Sequence, residues 1–280
     1  MRIRVALVAL STTVGLLAAP AVAQADEPVE YVALGDSYAA GSGVLPIVKN
    51  RNPLCLQSSR NYPHVLAASI GANLDDRTCG GAATNDFNEA QYPGTPAQLN
   101  AVDEATDLIT ISIGGNDGGL FGTAIQECAL AGLSTGGFGN PCERKYGSKY
   151  LDIIDTIVYP NVKQALQLTK DKGPNARIVV VGYPWIMPAT RGCFPLMPVA
   201  RGDVPYVRAL QARLHDRIAQ ASSEEGVEYV DLEQASEGKD TCGSIKTRWV
   251  EPVLGGTNPV IVHPNARGEA GMAAVVQATL

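Results

Sequence analysis

Two short apolar segments, Asp107–Ile113 and Arg177–Val181, constrain the fold of this chain more than any other feature. Neither alternates strictly between apolar and polar residues, a pattern typical of strands buried on both faces of a parallel sheet. Three further segments predict strands, at Glu30–Leu34, at Val227–Asp231 and, more weakly, at Ala72–Asp75. Helix-like segments separate them, so the order of elements predicts an α/β fold with right-handed connections.

Helices are predicted between the strands because apolar residues recur there at helical spacing. The predicted helices are Asn61–Ser69, a short one at Pro96–Glu104, Lys149–Lys170, Val204–Ala221 and Asn265–Thr279. Two longer stretches, Gly118–Gly147 and Tyr183–Asp203, are rich in Gly or Pro and are expected to be irregular. Loops of this length are usually functional or disordered, and the cysteines in both favour order.

The N-terminal residues have the plan of a secretory signal peptide. Arg2 and Arg4 precede an apolar run at 5–19, and small residues with two A-x-A patterns follow up to Ala25. The apolar run is shorter than the roughly 20 residues that a membrane-spanning helix requires. We therefore expect a signal peptide at residues 1–25, a single domain at residues 26–280 and a secreted protein.

The charge of the remaining chain excludes some partners. Residues 26–280 hold 20 basic and 28 acidic residues, a net charge of about −8 with neutral histidines. An acidic chain lacks the basic footprint of nucleic-acid binding, and it gains nothing overall from an anionic membrane surface. No later segment is long and apolar enough for stable membrane insertion, and nothing in the sequence demands more than a monomer.

Six cysteines remain after the signal peptide, at positions 55, 79, 128, 142, 193 and 242. An even number in a secreted chain indicates disulfides, but six cysteines allow 15 pairings and the sequence alone does not choose among them. A zinc site is disfavoured, because the chain has no C-x-x-C pair and only three histidines. We therefore expect neither a metal nor an organic cofactor.

Three candidate groups follow strand ends, the edge at which open parallel sheets bind ligands. Ser37 follows the first strand and is a candidate nucleophile, while Asn116 follows the third and is a candidate donor to an oxyanion. Gly80-Gly81, after the second strand, offers backbone N–H groups without steric bulk. Taken singly, each has an ordinary alternative, because Ser37 suits a helix N-cap and the other two suit turns.

Only three histidines can supply a base. His215 lies off the apolar face of a predicted helix and is expected at the surface, and His64 begins a helix, where a capping or surface role is expected. His263 lies in a loop just before the last helix, which brings it to the same sheet edge if that helix packs back on the sheet. A plain loop histidine is the alternative.

Four motifs together resemble the SGNH hydrolases, also called the GDSL lipase/esterase family. They are GDSYAAG at 35–41, CGGA at 79–82, GGND at 114–117 and VHPN at 262–265, and the resemblance covers about residues 30–280. It implies a flavodoxin-like three-layer α/β/α sandwich with a central parallel five-stranded sheet. It also implies that Ser37 is the nucleophile, that His263 is the base, and that the N–H groups of Ser37 and Gly81 with the Asn116 amide hold the oxyanion.

The cysteines resemble those of the secreted, disulfide-containing lipase branch of this family. That resemblance implies the pairs Cys55–Cys79, Cys128–Cys142 and Cys193–Cys242.

One position departs from the pattern of many members. They place an aspartate three residues before the histidine, whereas this chain has Val260 there. The imidazole still has to be oriented. We expect a main-chain carbonyl, from Val260 or Ile261, to orient the imidazole instead of an aspartate. Some secreted members that this sequence resembles use a carbonyl in this way. Asp231, after the fifth strand, is a less favoured replacement, so the expected machinery is a Ser–His dyad.

The resemblance implies a carboxylic ester hydrolase, with a lipase or esterase acting on acylglycerols or other fatty esters as the first hypothesis. A phospholipase of the A type, a polysaccharide acetyl esterase and an inactive secreted binding module are the alternatives. Apolar residues of the Tyr183–Met197 segment either line an acyl-chain pocket or pack beneath their own loop. Ser134, in the elbow-like sequence GLSTG, is not expected to be a nucleophile because no strand precedes it.

Overall fold

The computed structural model describes residues 27–49 and 51–280, so the predicted signal peptide at residues 1–25 lies outside the described residues. The strands are β1 (Glu30–Gly35), β2 (Asn73–Asp76), β3 (Leu108–Ser112), β4 (Arg177–Val181) and β5 (Glu228–Val230). The helices are α1 (Ser37–Ala40), α2 (Tyr62–Ile70), α3 (Leu120–Ser134), α4 (Pro141–Tyr146), α5 (Lys149–Ile153), α6 (Tyr159–Lys172), α7 (Val204–Glu225), α8 (Glu233–Ser236) and α9 (Ala266–Gln277).

The five strands form one parallel sheet in the order β2-β1-β3-β4-β5. In the register, Val32 of β1 pairs with Asp75 on one side and Ile109 on the other. The order reverses direction next to β1, which is the topology of flavodoxin-like sheets, and it creates a crevice beyond the carboxyl ends of β1 and β3. The predicted five-stranded α/β sandwich is confirmed.

Both faces of the sheet are covered, which explains why its central strands lack alternation. Tyr31 and Ala33 of β1 belong to the apolar cluster under α2 and α9, whereas Val32 and Leu34 belong to the cluster under α3, α6 and α7. Successive side chains of a strand point to opposite faces, so each central strand contributes apolar side chains to two cores.

The prediction of an irregular segment at Gly118–Gly147 was wrong, because α3 and α4 occupy most of it. The two glycines inside α3, Gly122 and Gly132, do not interrupt the helix. A Cβ on Gly132 would lie 2.2 Å from the carbonyl oxygen of Pro198, so only glycine lets the two backbones approach. A Cβ on Gly122 would meet nothing within 4 Å, because that face of α3 is open.

Two other predicted helices differ in detail. The segment Pro96–Glu104 contains only a 3₁₀ turn at Gln98–Ala101. The long helix predicted at Lys149–Lys170 is built from α5, a π-helical segment at Ile154–Val158 and α6. Pro160, at the start of α6, has no N–H to donate, which is consistent with the change of hydrogen-bond pattern there.

Three disulfides join Cys55 to Cys79, Cys128 to Cys142 and Cys193 to Cys242, the pairing that the resemblance implied. Within residues 27–49 and 51–280, no helix combines the length and apolar character needed to cross a bilayer.

Candidate active site

Ser37 lies at the carboxyl edge of the sheet, in the turn between β1 and α1. Gly35 ends β1 with φ of +145°, and a Cβ there would lie 2.5 Å from the carbonyl oxygen of Ser112, so glycine is required. Asp36 is the N-cap of α1, since its carboxylate accepts from the N–H of Tyr38 at 2.9 Å. Ser37 is the first helical residue and not the cap, and its side chain lines an open cleft.

The imidazole of His263 reaches this serine from the far end of the chain. Its Nε2 lies 2.7 Å from Oγ of Ser37, and its Nδ1 lies 2.8 Å from the carbonyl oxygen of Ile261. A carbonyl only accepts, so Nδ1 carries the proton and Nε2 presents its lone pair to the serine hydroxyl. Of the two carbonyls predicted to orient the ring, the structure has that of Ile261.

In the portion of the chain that the structure describes, no carboxylate accepts a hydrogen bond from Nδ1 of His263. Asp231 is exposed, and its carboxylate accepts from the N–H of Glu233 at 2.7 Å, at the start of α8. The side chain of Val260 lines the cleft. The imidazole therefore has a single oriented dipole as its partner and no neighbouring negative charge.

Hydrogen bonds to the backbone on both sides of Val262, a residue with a strained conformation, fix the loop that carries His263. Val262 has φ of +57°, which is rare and unfavourable for a β-branched residue. Its N–H donates to the carbonyl of Glu251, and its own carbonyl accepts from the hydroxyl of Tyr38 at 2.6 Å. The N–H of Glu251 donates in turn to the carbonyl of His263 at 3.0 Å. These three hydrogen bonds hold the loop in its unusual conformation.

Glu251 is also the centre of a buried polar cluster beneath the histidine loop. Its carboxylate pairs with Arg248 at 2.5 Å and accepts from the amide of Asn265 at 2.6 Å. It also accepts from Thr257, at 3.0 Å from the N–H and 2.8 Å from the hydroxyl. These donors lower the pKa of Glu251 against the opposing effect of burial. This residue was not predicted, because nothing in the sequence pattern links an acid at 251 to a histidine at 263.

Burial controls the titration of the groups next to the serine. It lowers the pKa of His263 below its usual range, and the Ile261 carbonyl opposes this only in part. Burial also raises the pKa of Asp36 to about 7, although the hydroxyl of Tyr183 and the N–H of Tyr38 both donate to its carboxylate. The lowered pKa keeps His263 neutral, the form in which an imidazole accepts a proton.

Of the predicted oxyanion donors, Ser37 and Asn116 line the cleft, whereas Gly81 is not among its lining residues. The Asn116 side chain lines the cleft, and its Nδ2 donates to the carbonyl of Ala82 at 2.9 Å, which ties the third motif to the second. Gly81 has φ of +79°, and neither its N–H nor that of Ser37 has a hydrogen-bond partner within the described residues. The N–H of Gly80 donates to the carbonyl of Cys55 at 2.7 Å, so it is not available.

Asp117 holds the Asn116 turn from below. Its carboxylate accepts from the hydroxyl of Thr84 at 2.5 Å, from the N–H of Thr84 at 3.2 Å and from the amide of Asn161 at 3.2 Å. Burial raises the pKa of this carboxyl, and the same donors oppose that shift. The glycine turn and the Asn116 turn are therefore joined twice, once through Ala82 and once through Thr84.

The serine and the histidine open onto a cleft of about 530 Å³. Its apolar lining comes from Phe121, Ile125, Ala129, Leu130, Ile186, Val253, Val260, Ile261 and Val262. Most of these belong to α3 and to the loop before His263. Of the Tyr183–Met197 segment only Ile186 lines the cleft, whereas Trp185, Met187 and Met197 are buried, so that segment mainly packs under itself.

The other histidines lie outside the cleft. The prediction of a surface position for His215 was wrong: it is 3% exposed, and its Nδ1 lies 2.8 Å from a carboxylate oxygen of Glu233. Burial follows because α8 and Trp185 cover that side of α7, a second layer that helical periodicity does not reveal. His64 is half-buried in the first turn of α2, and the N-cap of that helix is Asn61. Nδ1 of His64 lies 2.7 Å from Oδ1 of Asn61.

The structure also bears on the Ser134 motif and on metal binding. Ser134 is the last residue of α3 and its hydroxyl donates to the carbonyl of Ala131, so the strand-to-helix elbow of its motif is absent. Within the described ranges, no cluster of His, Cys, Asp and Glu has the arrangement of a metal site.

Comparisons with known proteins identify the family of the chain. The model of the GDSL-like lipase/acylhydrolase family matches residues 33–270. Lipase 2 of Streptomyces coelicolor is 51% identical over 255 residues, which cover 90% of this chain and 86% of that protein. An esterase of Streptomyces scabiei is 28% identical over 314 residues, which cover 95% and 90% of the two chains.

Solved structures show the same fold. Phospholipase A1 of Streptomyces albidoflavus matches with a TM-score of 0.76 at 24% identity, and the match covers 91% of this chain and 100% of that one. An extracellular lipase of Streptomyces rimosus matches with a TM-score of 0.75 at 24% identity, covering 90% and 100%. At this level of identity the likeness concerns the fold alone.

Proposed function

The chain belongs to the GDSL-like lipase/acylhydrolase family and is a carboxylic ester hydrolase, and on this basis we propose that it is a secreted lipase that uses a Ser37–His263 dyad. The observation that carries the proposal is the chain of contacts from the Ile261 carbonyl through the imidazole to the serine hydroxyl, at 2.8 and 2.7 Å. It provides a nucleophile, a base with a free lone pair and a group that fixes the ring.

The reaction follows from these positions. His263 Nε2 takes the proton of Ser37 as Oγ attacks the ester carbonyl, and the N–H groups of Ser37 and Gly81 with the Asn116 amide stabilise the oxyanion. As the tetrahedral intermediate collapses, the imidazolium protonates the leaving alcohol and an acyl-enzyme remains. Water, deprotonated by the same imidazole, then attacks the acyl group, and the fatty acid leaves as Ser37 regains its proton.

The size and the apolar lining of the cleft favour fatty acyl esters over acetyl esters as substrates. Its volume of about 530 Å³ and its apolar side chains exceed what an acetyl group can fill. Ligand sites are mostly apolar with a few oriented polar groups, and here Ser37, Asn116 and His263 are joined by Gln126 as polar residues of the lining. An acyl chain bound along α3 would therefore place the carbonyl carbon of the ester at Ser37.

The test is an acyl-chain series on triglycerides and phospholipids, run with wild type, Ser37→Ala, His263→Ala and Asn116→Ala. We expect wild type to prefer fatty esters over acetate, and loss of the Asn116 donor to reduce kcat by about 10²–10³. Asn85→Ala is the matched control, because Asn85 is exposed on the 3₁₀ turn after Gly81. If wild type and Ser37→Ala hydrolyse every ester equally slowly, the chain is an inactive binding module and the proposal fails.

Secretion is tested separately. Expression of the full sequence in an actinobacterial host should yield protein in the medium, with its first residue at Asp26. Retention of the intact N-terminus inside the cell would contradict this part of the proposal without affecting the catalytic part.

A further inference from the structure

Large apolar side chains are exposed in one continuous band around the mouth of the cleft. Of the twelve that are exposed in the described part of the chain, six form this band, which we call the apolar rim. The apolar rim consists of Leu130, Leu133, Phe138, Leu196, Leu254 and Ile261. Single exposed leucines are ordinary in soluble proteins, whereas a contiguous set marks an interaction surface.

Contacts within the structure connect the rim to the cleft. Leu130 and Ile261 line the cleft and are 57% and 48% exposed. Leu133 lies one turn further along α3, on the same side as Leu130. On the opposite wall, the N–H of Leu254 donates to the carbonyl of Leu196 at 3.0 Å, directly after the cleft residue Val253.

A turn after α3 closes the band. The ring of Phe194, two residues before Leu196, packs so closely on Gly137 that a Cβ there would lie 2.7 Å from it. Phe138 follows Gly137 and is 65% exposed. The rim therefore runs from α3 through this turn to Leu196, with Leu130 and Ile261 lining the cleft and Phe138 outside it.

Two exposed arginines lie at the Phe138 end of the rim, although the protein as a whole is acidic. The guanidinium of Arg201 lies 5.4 Å from the centre of the Phe138 ring, and Arg144 lies beside Gly139. Both arginines are exposed, and neither forms a salt bridge within the described residues. Glu143, an exposed acid next to Arg144 in the chain, accepts from the amide of Asn140 at 2.8 Å.

We propose that the apolar rim docks on the surface of an anionic lipid aggregate, with Phe138 inserted and Arg144 and Arg201 among the headgroups. An aromatic ring with a guanidinium on its face suits the boundary between acyl chains and headgroups. The global acidity of the chain argued against attraction to such a surface, but attraction depends on the charges that face it within about 10 Å. The inference rests on the proposed function, since docking would place the cleft over the lipid esters.

Vesicle co-sedimentation of the Ser37→Ala chain tests docking without hydrolysis. The probes are vesicles of phosphatidylcholine alone and of phosphatidylcholine mixed with phosphatidylglycerol. Phe138→Ser should weaken binding to both by about tenfold or more, because a buried ring is lost. Arg201→Gln should weaken binding to the mixed vesicles by about fivefold and leave the neutral ones nearly unchanged.

Leu280→Ser is the matched control. Leu280 is exposed, and its carbonyl bonds to Arg177 at the amino end of β4, the edge of the sheet opposite to the cleft. The Leu280→Ser variant of the Ser37→Ala chain should bind vesicles as tightly as the Ser37→Ala chain itself. Equal binding by Phe138→Ser, or an equal loss with Leu280→Ser, would overturn the proposal. A dimer that Phe138→Ser dissociates, with vesicle binding unchanged, would overturn it in favour of a contact between two copies.

A second measurement separates this inference from the proposed function. With Ser37 intact, Phe138→Ser should hydrolyse a water-soluble butyrate ester within about twofold of wild type, because Phe138 does not line the cleft. Its activity on emulsified triglyceride should fall in parallel with vesicle binding. If wild type hydrolyses no ester at all, the proposed function fails, whereas the vesicle result still decides docking.

Discussion

The hydroxyl of Tyr183 lies 2.6 Å from a carboxylate oxygen of Asp36 and 3.0 Å from the N–H of Gly115, which donates to it. Asp36 directly precedes Ser37, and Gly115 directly precedes Asn116. One buried phenol therefore links the turn of the nucleophile to the turn of the oxyanion amide. Burial and the neighbouring carboxylate raise the pKa of Tyr183 well above its usual value, so the phenol keeps its proton and donates it to Asp36.

Tyr183→Phe should lower kcat by about tenfold or more with a smaller change in KM. The ring packing against Tyr38 and Phe121 is kept, but the two turns lose their shared hydrogen-bonding partner. Stability should fall by about 1–3 kcal/mol, because Asp36 and the Gly115 N–H stay buried with one partner fewer. Kinetics and urea denaturation measure both effects.

Tyr229→Phe is the control for that change. The Tyr229 hydroxyl is buried without a hydrogen-bond partner in the described part of the chain, so its removal should leave stability equal or slightly higher. If Tyr183→Phe behaved like Tyr229→Phe in kcat and in stability, the link between the two turns would have no functional role.

Gly122→Leu should shorten the acyl-chain preference. Gly122 lines the cleft, and a Cβ there meets no atom within 4 Å, so a larger side chain extends into the space that a long acyl chain would occupy. Turnover of a butyrate ester should stay within about twofold, whereas that of a palmitate ester should fall by about tenfold or more. Gly122→Ala, which makes the same helical change with little bulk, should keep the wild-type preference.

The pH dependence of kcat/KM should report His263. Only the neutral imidazole accepts the serine proton, so activity rises with pH and levels off above the pKa of this group. Burial lowers that pKa, which places the acid limb below the usual histidine value of about 6.5. A pH–rate profile on a soluble ester measures it. A limb above that value would mean that a negative charge stabilises the imidazolium after all.

Asp231→Asn should leave kcat/KM within about threefold of wild type. The carboxylate accepts from the N–H of Glu233 and has no hydrogen bond to the imidazole within the described residues, and the amide oxygen of asparagine can accept from the same N–H. His263→Gln should abolish turnover in the same assay. A loss of several orders of magnitude with Asp231→Asn would replace the dyad by a conventional triad.

The central strands β1, β3 and β4 were predictable because they are buried on both faces and carry a clear apolar pattern, whereas β2 is less buried and its prediction was weaker. The five strands lie within about two residues of their predicted bounds. The order of strands is a different matter, since it depends on which helix covers which face, and here it came from the family resemblance. Helix α3 escaped prediction because a glycine in a sequence looks the same whether it breaks a helix or allows close packing.

The candidate site was predictable only in part, for a related reason. Ser37, Asn116 and His263 stand in short motifs that the sequence shows directly. Tyr183 and Glu251 contact residues far away in the chain, so no local pattern surrounds them. The ordinary alternatives for Ser37 and His263 lose their force once a distance of 2.7 Å joins two side chains separated by 226 positions.

The three disulfides follow one another along the chain without overlap, at 55–79, 128–142 and 193–242. Each therefore joins a cysteine to the next one to appear, so a polypeptide that emerges N-terminus first can close every bridge before the following cysteine is exposed. Correct pairing then needs no exchange between bridges, and an oxidant that simply couples neighbouring thiols as they arrive leaves the right connectivity.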